Sequence, residues 1–84
     1  MKHASRASLE KLPDLLAQIR LHDGIKEKKL GIFYRKATSF LHFHEDPAGL
    51  FADIRTDAGW ERHPVNTPAE QAICLSALDR ILQS

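Results

Sequence analysis

Four stretches with strand character, joined by very short links, constrain the fold of this chain more than any other feature. The stretches cover residues 31–36, 39–45, 50–55 and 60–65, and each is bounded by turn residues. Links of two to four residues leave room for a hairpin turn but not for a crossover connection. The sequence therefore predicts an antiparallel four-stranded meander, with the strands in chain order.

The three links have recognisable turn chemistry. Asp46-Pro47-Ala48-Gly49 suits a type I turn, with proline at the second position and glycine at the fourth. Asp57-Ala58-Gly59 closes the third hairpin, and Ala37-Thr38 is expected to close the first. Residues 25–29 are short and basic, and they are interpreted either as an edge strand or as a loop.

Two helices flank the strands. The first is predicted over residues 12–22, because Leu12, Leu15, Leu16 and Ile19 follow helical spacing and Pro13 suits a first turn. The second begins after Thr67, which with Glu70 forms a capping box around Pro68, and it runs to the C-terminus.

These elements predict an α+β fold, a two-layer sandwich of order αββββα with both helices on one face of the sheet. Residues 1–8 are polar and show no hydrophobic periodicity, so they are expected to form a flexible N-terminal tail. Residues 9–84 then form a single domain, a size that allows one modest core.

Composition narrows the functional classes. The formal net charge is only +1, so no strong overall field attracts nucleic acid or an anionic membrane. The single cysteine, Cys74, lies on the apolar arc of the second helix and is interpreted as a core residue. No signal peptide and no membrane-spanning run is recognised, which predicts a cytoplasmic protein without membrane contact.

Strand alternation assigns side chains to the two faces of the sheet. If Glu45 opposes Leu50, then His42 opposes Asp53, and the third hairpin places Asp53 beside Arg62 and Arg55 beside Trp60. The first hairpin is expected to place Phe33 beside His42 and Arg35 beside Phe40. The predicted core face holds Ile32, Tyr34, Leu41, Phe43, Leu50, Ala52 and Ile54.

The opposite face mixes aromatic, histidine and charged side chains, a composition typical of contact surfaces. The main hypothesis is therefore a binding or interaction module, with a second copy, another protein or a small ligand as its partner. The candidate binding face consists of Phe40, His42, His44, Phe51, Asp53, Arg55, Trp60 and Arg62, and Phe33 and Arg35 are expected to lie beside them.

Metal binding is a second hypothesis. His42 and His44 lie on one strand face, which supplies two of the three or four ligands that zinc or iron needs. His63 is expected on the opposite face, so Asp53 is the predicted third ligand. His3 and His22 are expected to be solvated without a further role. No cofactor is otherwise expected.

Two further hypotheses have less support. A His42–Asp53 pair can serve as an acid/base site, but no nucleophile lies nearby, so the chain is not predicted to be an enzyme. Exposed phenylalanines beside arginines resemble a stacking platform for single-stranded nucleic acid. The element order and the low net charge argue against that function.

Two motifs together resemble a known family. They are Phe40-Leu41-His42-Phe43-His44 followed by Gly49, and Gly59-Trp60-Glu61-Arg62-His63-Pro64 before the last helix. The chain is similar over residues 24–82 to small uncharacterised bacterial proteins labelled "luciferase domain". The loop at residues 45–49 is longer than the turn that this resemblance implies. The resemblance implies no established activity.

Overall fold

An antiparallel sheet and three helices make up the chain, in a computed structural model that describes residues 2–83. The strands are β1 (Lys2–His3), β2 (Lys26–Lys29), β3 (Ile32–Arg35), β4 (Thr38–Asp46), β5 (Gly49–Thr56) and β6 (Gly59–Pro64). The helices are α1 (Arg6–Leu9), α2 (Pro13–Arg20) and α3 (Pro68–Gln83). The sheet order is β2-β3-β4-β5-β6, and β1 pairs with β4. The antiparallel α+β class is thus confirmed, with more strands and one more helix than predicted.

The two longer helices form where the sequence predicts them. Pro13 opens α2, which ends at Arg20, two residues before the predicted end. In front of α3, Thr67 Oγ1 accepts a hydrogen bond of 3.1 Å from the Glu70 backbone N–H. The Glu70 carboxylate accepts one of 2.8 Å from the Asn66 N–H, one residue earlier than a standard capping box.

The hairpins β4–β5 and β5–β6 have the predicted registers. Glu45 pairs with Leu50, and His42 with Asp53. Asp53 in turn pairs with Arg62. The first of these turns is fixed locally, because Asp46 Oδ1 accepts a 2.7 Å hydrogen bond from the Ala48 N–H. Gly49 has φ +129°, a conformation that side-chain-bearing residues rarely adopt.

The predicted register of the first hairpin is wrong. Its turn lies at residues 36–37, because Arg35 pairs with Thr38 rather than with Phe40. Phe33 then pairs with Leu41, and the register shift before Tyr34 inserts Phe40 as the extra residue of a β-bulge. The bulge lets two consecutive residues, Phe40 and Leu41, both enter the core.

One cluster of buried apolar residues forms the core. On the sheet, Phe33, Phe40, Leu41, Phe43, Ala52 and Ile54 are buried. The buried residues of α2 and α3, including Leu15, Ile19, Cys74 and Leu78, belong to the same cluster. Ile32 and Tyr34, which were expected in the core, are only partly buried. The bulge turns the opposite side of β3, which carries Phe33, toward the core.

Residues 25–29, for which a strand and a loop were both considered, contain the edge strand β2. Its KEKK sequence is the lysine-rich type that protects an open sheet edge. The predicted tail over residues 1–8 instead contains β1 and most of α1, while Met1 lies outside the described residues. Ser5 caps α1 by accepting a hydrogen bond from the Ser8 N–H. Such short elements lack a hydrophobic period, which explains why the sequence pattern did not reveal them.

Candidate metal centre

The alternation of β4 places two histidines on the sheet face opposite the core. Leu41 and Phe43 are buried on the helix side, whereas His42 and His44 are partly buried on the other side. Their ring centroids are 4.7 Å apart in an edge-on arrangement. This outcome confirms the prediction that the two imidazoles share one face.

A third histidine reaches this face from the N-terminal strand. β1 runs along β4 beyond the end of β3, with His3 directly opposite His44. The Ala4 N–H donates a 3.0 Å hydrogen bond to the Phe43 carbonyl, which continues the pairing. The His3 ring stacks on His44 at 4.7 Å and meets the edge of His42 at 5.5 Å. His3 was expected to be solvated without a further role; it is exposed, but its ring contacts both histidines of β4.

His3, His42 and His44 are called the His cluster below. Each offers one ring nitrogen, and these nitrogens lie within 4.8 Å of one another. Among the described residues, no other group of three histidine, cysteine or carboxylate side chains has this arrangement. Asp53, the predicted third ligand, is not a member of the set.

The His cluster contains buried ring nitrogens that make no directed hydrogen bond. The Nδ1 atoms of His42 and His44 are buried and make no hydrogen bond to any described residue. Buried polar atoms are nearly always hydrogen-bonded, so the His42 Nδ1 atom calls for an explanation, for example an ion. Burial lowers the pKa of His42 from 6.5, and the nearby His44 lowers it further. This shift favours the neutral form of His42, the state in which imidazole binds a metal.

Asp53 lies beneath the His cluster and is 3% exposed. Arg62 holds it through two hydrogen bonds of 2.8 Å, one from Nε to Oδ1 and one from a terminal nitrogen to Oδ2. These bonds, against the opposing effect of burial, lower the pKa of Asp53. His44 Nδ1 lies 2.9 Å from Asp53 Oδ2. That contact places the imidazole against the carboxylate, although it is not directed as a hydrogen bond.

Trp60 borders the His cluster on the β6 side. Its ring centroid is 4.5 Å from that of His42, and the Arg55 guanidinium lies 4.4 Å from the Trp60 ring centroid. Arg55 Nε also donates a 2.7 Å hydrogen bond to the Ser39 carbonyl. Trp60 is 43% exposed, so the indole forms an open wall of the site.

The structure brings together seven of the eight residues predicted for the binding face. Phe51 pairs with His44 across the strands and is partly buried. Phe40 is the exception, because the β-bulge places it in the core at 3% exposure. Phe33 is likewise buried at 1%, which removes a second phenylalanine from the face.

His3 is the member of the His cluster that the sequence pattern missed. A two-residue strand has no period to recognise, and its partner lies about forty positions away in the chain. The two histidines outside the cluster have carboxylate partners. His22 Nε2 lies 2.6 Å from Asp79, and His63 Nε2 lies 2.7 Å from Glu61.

Comparison with known proteins gave no relative. No protein-family model, no curated protein and no solved structure matches the chain. The resemblance to the "luciferase domain" proteins accordingly stays a prediction. Within residues 2–83, no helix has the length and apolar character needed to cross a membrane.

Proposed function

We propose that this chain binds a transition-metal ion, with zinc as the preferred ion, through the His cluster. The observation that carries the proposal is the position of three ring nitrogens within 4.8 Å of one another. A tetrahedral zinc ion with Zn–N distances near 2.1 Å holds its nitrogens about 3.4 Å apart. Movements on the order of 1 Å would therefore bring the imidazoles to coordination distance.

The chemistry of the donor set favours zinc over iron. Imidazole nitrogen suits zinc, copper and nickel, whereas many non-haem iron sites combine two histidines with one carboxylate. The Asp53 carboxylate already bonds Arg62 through both oxygens, so it does not offer an open ligand position. Three protein ligands leave the fourth position of a tetrahedral ion to water or to a small ligand.

The placement of the helices supports a site on this face. The apolar residues of α2 and α3 join the core on the side of Leu41 and Phe43. A two-layer arrangement with the helices on one face leaves the His cluster facing away from them. An incoming ion would then meet only the side chains of the sheet.

Contact with a second copy, another protein or a small ligand stays a prediction for the same face. Trp60, Phe51 and Arg62 supply the mixed aromatic and charged character that such surfaces have. The burial of Phe33 and Phe40 removes two of the predicted stacking rings. That loss lowers the support for nucleic-acid binding in particular, and metal binding has the better geometric support.

A titration of metal-free protein with Co²⁺ and Zn²⁺ tests the proposal. Trp60 is the single tryptophan and touches His42, so Co²⁺ binding is expected to quench its fluorescence to saturation. Zn²⁺ added afterwards should reverse the quenching by displacing Co²⁺. Histidine side-chain NMR should show selective shifts of His3, His42 and His44.

Single replacements identify the ligands. His3→Ala, His42→Ala and His44→Ala should each lower the Zn²⁺ affinity by more than about 100-fold, which exceeds the usual effect of changing a residue that only orients a ligand. His22→Gln is the matched control, because it removes an imidazole that pairs with Asp79 at the helix end. Absence of saturable binding, or an affinity unchanged in His3→Ala, would contradict the proposal.

A further inference from the structure

A cavity outside the His cluster lies at one end of the sheet. Its volume is about 630 Å³, within the range of small-molecule sites. The β3–β4 turn, the β5–β6 turn and the last part of α3 surround it. Phe40 and Ile81 lie behind its wall as nearly buried core residues.

The cavity concentrates positive charge. Arg35, Lys36, Arg55 and Arg80 all line it, although the whole chain carries a net charge of only +1. Two carboxylates, those of Asp57 and Glu61, also line it. Glu61 Oε2 is already engaged, at 2.8 Å from Arg80 and 2.7 Å from His63. The lining therefore holds four cationic side chains against two carboxylates, which leaves an excess of positive charge.

Three of these cations lack a carboxylate partner. Within residues 2–83, no acidic side chain lies within ion-pair distance of Arg35, Lys36 or Arg55. Their positive charges are therefore not neutralised inside the described part of the chain, and they are available to a ligand.

Two of the guanidinium groups are oriented in advance by aromatic rings. Arg35 lies 5.6 Å from the Phe40 ring centroid, and Arg55 lies 4.4 Å from that of Trp60. Arg55 Nε is further fixed by its hydrogen bond to Ser39. A guanidinium that lies over an aromatic ring still has in-plane N–H groups. These groups can bind an oxyanion in a bidentate manner.

The turn beside the cavity has an uncommon backbone conformation. Lys36 has φ +58°, and among the described residues it is the sole non-glycine residue with positive φ. Left-handed conformations of this kind are unfavourable for a residue with a long side chain, and they recur at functional sites. This turn holds Lys36 next to Arg35 at the mouth of the cavity.

We propose that this cavity binds a small organic phosphate, an anionic ligand with a short apolar part. The unpaired cations would take the phosphate oxygens, and the aliphatic parts of the lining side chains, such as Lys36, Arg80 and Ala58, would contact the apolar part. The size of the cavity exceeds that of a phosphate ion alone. The proposal does not rest on the metal centre, since neither His42 nor His44 lines this cavity.

A titration of chelator-treated protein with phenyl phosphate, at constant ionic strength, tests this assignment. The arginine side-chain N–H signals of Arg35, Arg55 and Arg80 should shift to saturation. Inorganic phosphate and benzoate serve as separate probes of the two halves of the ligand, and each should bind more weakly than phenyl phosphate. Benzoate binding as tight as that of phenyl phosphate would overturn the phosphate assignment.

Two double variants distinguish specific binding in the cavity from non-specific attraction of the anion to positive charge. Arg35→Gln with Lys36→Gln should weaken phenyl phosphate binding by about tenfold or more, the usual effect of losing charge-assisted hydrogen bonds. Lys26→Gln with Lys29→Gln removes the same charge from the edge strand β2 and should leave the affinity unchanged. Equal weakening in both double variants, or shifts that never saturate, would refute the proposal.

Discussion

At the scale of single residues, Asp53 has the most constrained position on the open face. Among residues 2–83 it is the only buried charged side chain, and it contacts both Arg62 and His44. A buried carboxylate needs such partners, because desolvation of an unpaired charge costs several kcal/mol. Its contact with His44 also resembles the carboxylate–histidine pairs that orient metal ligands in other proteins.

Replacing the carboxylate by an amide should therefore affect both stability and metal affinity. Asp53→Asn is expected to lower the free energy of unfolding by about 1–3 kcal/mol, because the amide cannot satisfy Arg62 and His44 together. The Zn²⁺ affinity should fall by about tenfold, since the His44 ring loses its orienting contact.

Denaturant unfolding and a Zn²⁺ titration measure these two effects independently. Asp23→Asn is the control for charge, because Asp23 is exposed and forms no ion pair with a described residue. A variant that keeps the wild-type affinity for Zn²⁺ would show that Asp53 has only a structural role.

At the scale of elements, Glu45 of β4 connects the N-terminal segment to the sheet. Its carboxylate accepts a 3.0 Å hydrogen bond from the Ser5 N–H and lies 3.5 Å from Lys2 Nζ. Hydrogen bonding by Ser8, then by the Ser5 N–H, and attraction by Lys2 lower the pKa of Glu45 to about 2. Because β1 carries His3, the same contacts help to complete the His cluster.

The pairing of β1 with β4 should consequently weaken in acid. A carboxyl whose pKa is depressed in the folded state stabilises that state above its unfolded pKa near 4.5, and the contribution is lost as the pH falls toward about 2. In the wild type, NOEs between the His3 and His44 rings should therefore decrease over that range. In Glu45→Gln they should already be weaker at neutral pH.

A second carboxylate provides the comparison for this experiment. Glu10→Gln, a change at the exposed end of α1, should leave the NOEs at neutral pH as they are in the wild type. If Glu45→Gln behaves in the same way, the carboxylate does not hold β1 in place.

At the scale of the whole molecule, 84 residues support one core, so the free energy of unfolding is expected to be small. The His cluster joins β1 to the middle of β4, which links the N-terminal segment to the longest strand of the sheet. A ligand that binds only the folded chain adds its binding free energy to stability. Metal binding would thus stabilise the complete fold and not only the site.

Thermal unfolding with and without Zn²⁺ measures that coupling. At a free Zn²⁺ concentration about 100 times the Kd, the expected stabilisation is about 2.7 kcal/mol. For a domain of this size it corresponds to a Tm increase of about 10 °C or more. The increase should disappear in His44→Ala, and it should shrink at pH 5 because protonated imidazoles do not bind the ion. An equal increase in His44→Ala would assign the effect to zinc bound elsewhere.

Local patterns were sufficient for the middle of the sheet and for the long helices. Asp46-Pro47-Ala48-Gly49 fixes one turn by its own chemistry, and the apolar pair Leu41 and Phe43 fixes which face of β4 is buried. Those two signals predicted that His42, His44 and Asp53 lie on the opposite face of the sheet. The first hairpin has no glycine or asparagine at its turn, so nothing local marked residues 36–37 or the bulge at Phe40.

By itself, the sequence determined the antiparallel α+β class, the registers of two hairpins and the presence of two histidines on one strand face, because each depends on neighbouring residues. Only the tertiary structure decided that Phe40 enters the core, since a bulge is selected by packing against the helices. It also decided that His3 joins His42 and His44. That contact pairs segments about forty residues apart, and no local period specifies it.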